Sequence, residues 1–171
     1  MFDYVSSPAS AHSPSINIFE DRARILWFEG TRESHEDVVI NSVEIVPETT
    51  SAGWKATQRD EFVDRHVLAE KTLPRQDIWS LGNTVQFTPG SESVLATVVS
   101  VGGWAAASIA MVEFVGEDVS QVRKLQLSPM LNRSHLVRNS TLQYADQSVA
   151  IPAYFEMGNA CLLYTSPSPR D

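Results

Sequence analysis

The sequence predicts an all-β protein. Short runs rich in Val, Ile, Phe and Thr recur along the chain, and polar or Gly/Pro/Asp clusters separate them. A helical 3.6-residue period is hard to find over any window longer than about two turns. The first predicted strand covers 15–19, where Ile16 and Ile18 alternate with polar Ser15 and Asn17. The polar turn Glu20-Asp21-Arg22 separates it from a second, apolar strand at 24–28. A third run spans 38–46, and the segment 60–71 is the one stretch with a short-helix pattern. Beyond it come strands at 84–88 and 94–101, joined by the turn signal Pro89-Gly90-Ser91, then 108–114 and 149–155.

A repeat underlies this pattern. Residues 14–28 align without a gap on 83–97, so that Ile16, Ile18, Ile25 and Leu26 fall on Val85, Phe87, Val94 and Leu95. A third copy at 140–151 follows with a shorter turn. Each copy is an apolar strand, a polar turn and a second apolar strand, so 12–28, 83–98 and 140–155 are expected to be equivalent hairpins. Wide spacing of similar hairpins suits the blades of a β-propeller, and an ordinary β-sandwich accounts for it equally well.

Of 171 residues, 43% are hydrophobic and 20% charged, which fits a globular domain rather than a low-complexity chain. The formal charge of −8 argues against nucleic acid or an anionic membrane as the main partner, since both need a basic face. No apolar run is long enough for a transmembrane helix, and no N-terminal segment has signal-peptide order. The cellular compartment cannot be read from these features.

The last eleven residues, 161–171, differ from what precedes them. They hold the only cysteine and two of the nine prolines. The string Cys161-Leu-Leu-Tyr-Thr-Ser-Pro-Ser-Pro-Arg-Asp171 resembles an in-frame translation of a sequencing adapter. The expected division is therefore a partial domain at 1–160 and a non-native tail at 161–171 that makes few contacts with it.

Five segments carry a family resemblance. The first is Phe28-Glu-Gly-Thr-Arg-Glu-Ser-His-Glu-Asp-Val-Val-Ile40, with Ala11-His12-Ser13-Pro14-Ser15-Ile16 upstream. Next come Ser80-Leu-Gly-Asn-Thr-Val-Gln-Phe87 and Ser100-Val-Gly-Gly-Trp-Ala-Ala-Ala-Ser-Ile109. Ser128-Pro-Met-Leu-Asn-Arg-Ser-His-Leu-Val-Arg138 and Ile151-Pro-Ala-Tyr-Phe-Glu156 complete the order. Together they resemble the sialidase-like, BNR-repeat glycosidases over roughly residues 10–158. The resemblance implies a six-bladed β-propeller, truncated here to about three blades. It also implies exo-acting, sialidase (neuraminidase)-type cleavage of a terminal acidic sugar by the complete ring. The chain departs from the pattern in places. No Asp-box is intact, Glu29 replaces a small residue, Ser34 a glycine and Phe155 a histidine. These departures keep a non-catalytic, carbohydrate-binding propeller open as the alternative.

The chemistry selects the candidates. An acidic sugar presents a carboxylate, whose natural partner is the planar fork of a guanidinium. Arg32 and Arg138 sit in the resembled blocks and are expected to supply it. Cleavage of a sialoside needs an acid and, in sialidases, a tyrosine nucleophile. Asp37 is the expected acid, with a pKa raised by burial, and Glu33 is the second acidic candidate. Tyr154 and Glu156 alternate on a strand and share a face, as a phenol and its activating carboxylate would. His12, Asn83, Trp104, Asn132 and His135 are further candidates for contact with the sugar. The four histidines lack metal-ligand spacing, so neither a metal nor another cofactor is expected. The expected partner is a glycan.

Overall fold

The computed structural model describes residues 10–48, 53–57, 60–73, 75–101, 103–127 and 133–155, together with the backbone of Cys161–Ser166. The chain is all-β, built as several antiparallel sheets. In the first sheet β1 (Ser10–Ile18), β2 (Ala23–Gly30), β3 (Val39–Pro47) and β4 (Trp54–Ala56) lie side by side, and β5 (Asp60–Val63) also pairs with β3. The second sheet is a meander of β6 (Ser80–Gln86), β7 (Val94–Val99), β8 (Ala107–Val115) and β9 (Asp118–Lys124). In the third, β12 (Val149–Phe155) pairs with β10 (His135–Val137), β11 (Leu142–Gln143) and β13 (Cys161–Ser166). Because β13 runs along Val149–Tyr154, the short β10 and β11 share the opposite edge of β12.

The helix expected over 60–71 is shorter than its pattern suggested. Asp60–Val63 is strand because β3 offers a ladder there, with Ile40 opposite Val63 and Asn41 opposite Glu61. Only Arg65–Lys71 is helical (α1). Asp64 starts it, its carboxylate accepting from the His66 and Val67 amides at 2.6 and 2.9 Å. Strand β9 has no clear strand pattern in the sequence. There Val119 and Val122 are buried among polar neighbours, too sparse an alternation to stand out.

Sheets stack face to face. Leu26, Phe28 and Ile40 of the first meet Val94, Ala96, Val98 and Val112 of the second. The opposite face of the second sheet places Leu95 and Ile109 against Val137, Val149 and Ile151 of the third. At the outer turns, Arg24 binds Glu44 at 2.8 Å and Glu92 at 2.8 Å, tying the first sheet to the second. Among the described residues no helix is long and apolar enough to cross a membrane.

The hairpin repeat is present with one correction. Ile16 pairs with Ile25, but Val85 pairs with Leu95 rather than Val94. The turn around Pro89-Gly90 therefore holds one residue more, and the gapless alignment cannot hold for both strands. A one-residue slip changes which face a side chain takes. Ile16 lies on the outer face of the first sheet and is 56% exposed, whereas Val85 faces the third sheet and is 2% exposed.

Within the expected tail, the backbone of Cys161–Ser166 pairs with β12 from Val149 to Tyr154.

Candidate functional site

Antiparallel order gathers most of the candidates at one end of the sheets. Ser10 lies beside Gly30, Ser80 beside Val99, and His135 beside Phe155, so the first strand of each hairpin starts where the second one ends. Three contacts between sheets join these ends. The Trp79 indole donates to the Ser34 carbonyl at 3.2 Å, and the Ser134 hydroxyl donates to the Ala105 carbonyl at 2.7 Å. Phe28 meets Trp104 edge-on, with ring centroids 6.2 Å apart.

The first strands break their pairing at corresponding points. The interruptions fall between His12 and Ser15, between Leu81 and Thr84, and between Val137 of β10 and Leu142 of β11. Bulges re-aim side chains and are common beside binding sites. Half-buried Asn83 sits in the second break and exposed Arg138 in the third.

His12 stacks on Phe28 at 5.5 Å with an interplanar angle of 21°. Its Nδ1 lies 3.3 Å from Glu33 Oε1. Trp104 packs between sheets rather than offering an open face. It rests on the core clusters around Phe28 and Leu136, and a Cβ at Gly82 would come within 2.9 Å of its ring. Glycine at 82 is what lets the indole approach the strand so closely.

The β2–β3 loop is a clasp around Asp37. The Asp37 carboxylate accepts from the Thr31 hydroxyl, from the Thr31 amide at 3.1 Å, and lies 2.7 Å from His35 Nδ1. The Thr31 hydroxyl is the main cause, and His35 a further one, of an Asp37 pKa lowered from 3.8 to about 2. This is the reverse of the raised value expected of a general acid: Asp37 stands ionised at neutral pH. The stability it lends is complete above about pH 3.8 and is lost as the pH falls toward about 2. Replacing Thr31 with valine should move the Asp37 midpoint upward, as followed by carboxyl carbon NMR, and an unmoved midpoint would refute the clasp. Thr31 and His35 were not singled out in the sequence. Their only signal was polar side chains flanking Asp37 in one short loop.

Ser13, Ser34 and Ser134 adopt left-handed backbone, with φ of 52°, 57° and 59°. Each adjoins a histidine, His12, His35 or His135. Strained residues of this kind cluster at functional sites. Ser34 stands where the resembled block carries glycine, and its φ explains that glycine. Ser34→Gly should raise unfolding stability by about 0.5–1 kcal/mol, because relief of left-handed strain exceeds the added chain entropy. Urea denaturation measures it.

Arg32 is exposed, and neither neighbouring glutamate claims it. Glu29 is buried and accepts from the Trp27 indole at 2.9 Å, while Glu33 faces His12. The Arg138 guanidinium lies over the half-buried Tyr154 ring at 5.5 Å. His135 is buried beside Phe155, and that burial lowers its pKa, so it stands neutral and turned away from solvent. Asn132 and Glu156 lie outside the described residues. Among the described residues no group of three or more His, Cys, Asp or Glu is placed to hold a metal. A cavity of about 790 Å³ lies at the opposite, turn end, lined by Arg22, Arg24, Glu44, Phe62, Glu92 and Phe114. Its arginines are already neutralised by Glu44 and Glu92.

The family described as a BNR repeat-like domain matches residues 21–169. No curated protein matches the chain.

Proposed function

Because the chain belongs to the BNR repeat-like family, we propose that it recognises a terminal acidic sugar at the end of the sheets that carries His12, Arg32 and Arg138. The family is related to sialidase-like glycosidases, and the proposed activity of the complete ring is exo-acting, sialidase-type cleavage. One observation carries the reading. Arg22, Arg24, Arg65 and Arg123 each pair with a carboxylate, whereas Arg32 and Arg138, like Arg75 and Arg133, make no ion pair among the described residues. In a chain with a net charge of −8, guanidinium groups left open at one end favour an incoming carboxylate.

In this reading the three sheets are blades of a six-bladed propeller. The recurring strand breaks support that arrangement, and so does the outer face of the first sheet, where Ile16 and Ile18 are 56% and 55% exposed. A neighbouring blade would cover them. Tyr154, beneath Arg138, is the nucleophile, Glu156 its activating base and Asp37 the proton donor. Asp37 is ionised, so it could donate only after leaving Thr31 and His35 and taking up a proton.

That requirement favours a second reading, a carbohydrate-binding propeller that does not hydrolyse. Assaying the complete ring against fluorogenic sialosides, alongside titration with matched acidic and neutral sugars, separates the two. Turnover supports the glycosidase. Selective binding of the acidic sugar without turnover supports the binding module, and equal or absent binding of both sugars overturns acidic-sugar recognition.

A further inference from the structure

The cavity at the turn end of the sheets, away from His12 and Arg138, has a chemistry of its own. Its volume of about 790 Å³ is that of a small-molecule site. Five carboxylates and two guanidinium groups line it, a formal excess of three negative charges. Arg22 and Arg24 are both engaged by Glu44 and Glu92. Asp60, Glu61 and Glu117 make no ion pair among the described residues. They stand on both walls, Asp60 and Glu61 in β5 of the first sheet and Glu117 in the β8–β9 turn of the second.

A second observation points to a ligand independently of charge. Ser42 lines the cavity and is 9% exposed, and its hydroxyl has no hydrogen-bond partner among the described residues. It stands opposite Asp60 in the β3–β5 ladder, so hydroxyl and carboxylate share one face. A buried hydroxyl without a partner is costly, and a donor reaching it from a ligand removes that cost. The walls also share an apolar element. Phe62 of β5 and Phe114 of β8 meet with ring centroids 5.1 Å apart. Arg24 lies over the Phe62 ring at 5.2 Å, so that ring already has its cation and its remaining surface suits methylene groups.

We infer that this cavity binds a linear aliphatic diamine or polyamine. One ammonium donates to Asp60 and to the Ser42 hydroxyl, a second reaches Glu117, and the methylenes cover Phe62 and Phe114. An ammonium carries three donors and no acceptor, which matches open carboxylates and a hydroxyl oxygen. The inference does not rest on acidic-sugar recognition, since an anionic sugar is repelled by the same charges.

The test titrates the whole chain with spermidine by calorimetry at an ionic strength of about 0.15 M, where diffuse attraction is screened. Asp60→Asn and Glu117→Gln should each raise the Kd about three- to fivefold, the upper part of what an exposed ion pair contributes. Ser42→Ala should raise it about threefold, as loss of a neutral hydrogen bond does. Glu70→Gln makes the same charge change as Glu117→Gln on an exposed position of α1, and should raise it less than about 1.5-fold. Butylamine, with a single ammonium, should bind about tenfold more weakly than spermidine. In NMR spectra the spermidine methylenes should show contacts to the ring protons of Phe62 and Phe114. Absence of spermidine binding overturns the proposal, as do equal losses in Glu70→Gln and Glu117→Gln or equal affinity for butylamine. Displacement of spermidine by magnesium chloride at equal concentration overturns it too. A lysine peptide binding more tightly than spermidine would assign the cavity to a polypeptide and overturn the small-amine reading. Should buried Ser42→Ala fail to fold, the exposed Glu117→Gln decides the matter.

Discussion

Arg138→Ala should weaken binding of an α-methyl sialoside by about 30-fold, while a neutral glycoside of similar size loses less than about twofold. The guanidinium carbon lies over the Tyr154 ring, 5.5 Å from its centroid, and that contact narrows the side chain's freedom before any ligand arrives. A fork held in that way forms a charge-assisted pair with a carboxylate at reduced entropic cost. Hydrogen bonds to charged groups contribute about 1.5–3 kcal/mol, which spans roughly tenfold to over a hundredfold in Kd. Arg138 is exposed, and solvent screening places the expectation in the lower half of that range. Arg138→Lys should recover only part of the loss, because an ammonium can neither stack on Tyr154 nor grip both oxygens. Calorimetric titration of the acidic and neutral ligands is the measurement. Equal losses for the two would show that Arg138 supports the architecture and not the carboxylate.

Leu26→Ala should lower the unfolding free energy by about 3 kcal/mol, with Ile16→Ala costing less than about 0.5 kcal/mol. Leu26 is 0% exposed and sits among Phe28, Ile40, Val94 and Ala96, where the first and second sheets meet. Truncation leaves a cavity between two sheets, and neither backbone can relax far because each is tied by its own ladder. Ile16 lies on the opposite face and has little burial to lose. Guanidinium denaturation of both variants decides the matter, and a large Ile16 effect would mean that this face is covered in solution. That outcome would bear directly on whether another blade, or another copy of the chain, occupies it.

Much of the β-structure was legible from local pattern. The runs at 24–28, 38–46, 94–101, 108–114 and 149–155 became β2, β3, β7, β8 and β12 with displaced ends, because strand alternation and turn chemistry act over a few neighbouring residues. The family was legible too, since its blocks are contiguous in the chain. Where local signals competed with pairing, pairing won. Asp60–Val63 carries a helix-compatible pattern, yet it became β5 because β3 had an edge to offer. Short β10 gave no periodic signal of its own and exists because β12 lies alongside it, whereas β11 falls on the first strand of the third repeat.

The candidate site divides in the same way. The sequence by itself determined which residues were present near the loops: a histidine, two arginines, acids and a Trp after glycine. It could not determine their electrostatic state, because that depends on groups brought in by folding. Asp37 was expected to have a raised pKa and instead stands ionised, since the loop closes Thr31 and His35 onto its carboxylate. His135 was expected to meet the sugar, but its burial beside Phe155 turns it inward. Ile16 and Leu26 are both apolar and ten residues apart, and the sequence ranks them alike. Only the tertiary structure decided that one seals the interface between two sheets and the other faces outward. The physical reason is register: strand side chains alternate every residue, so a single extra residue at a turn or bulge reassigns a face.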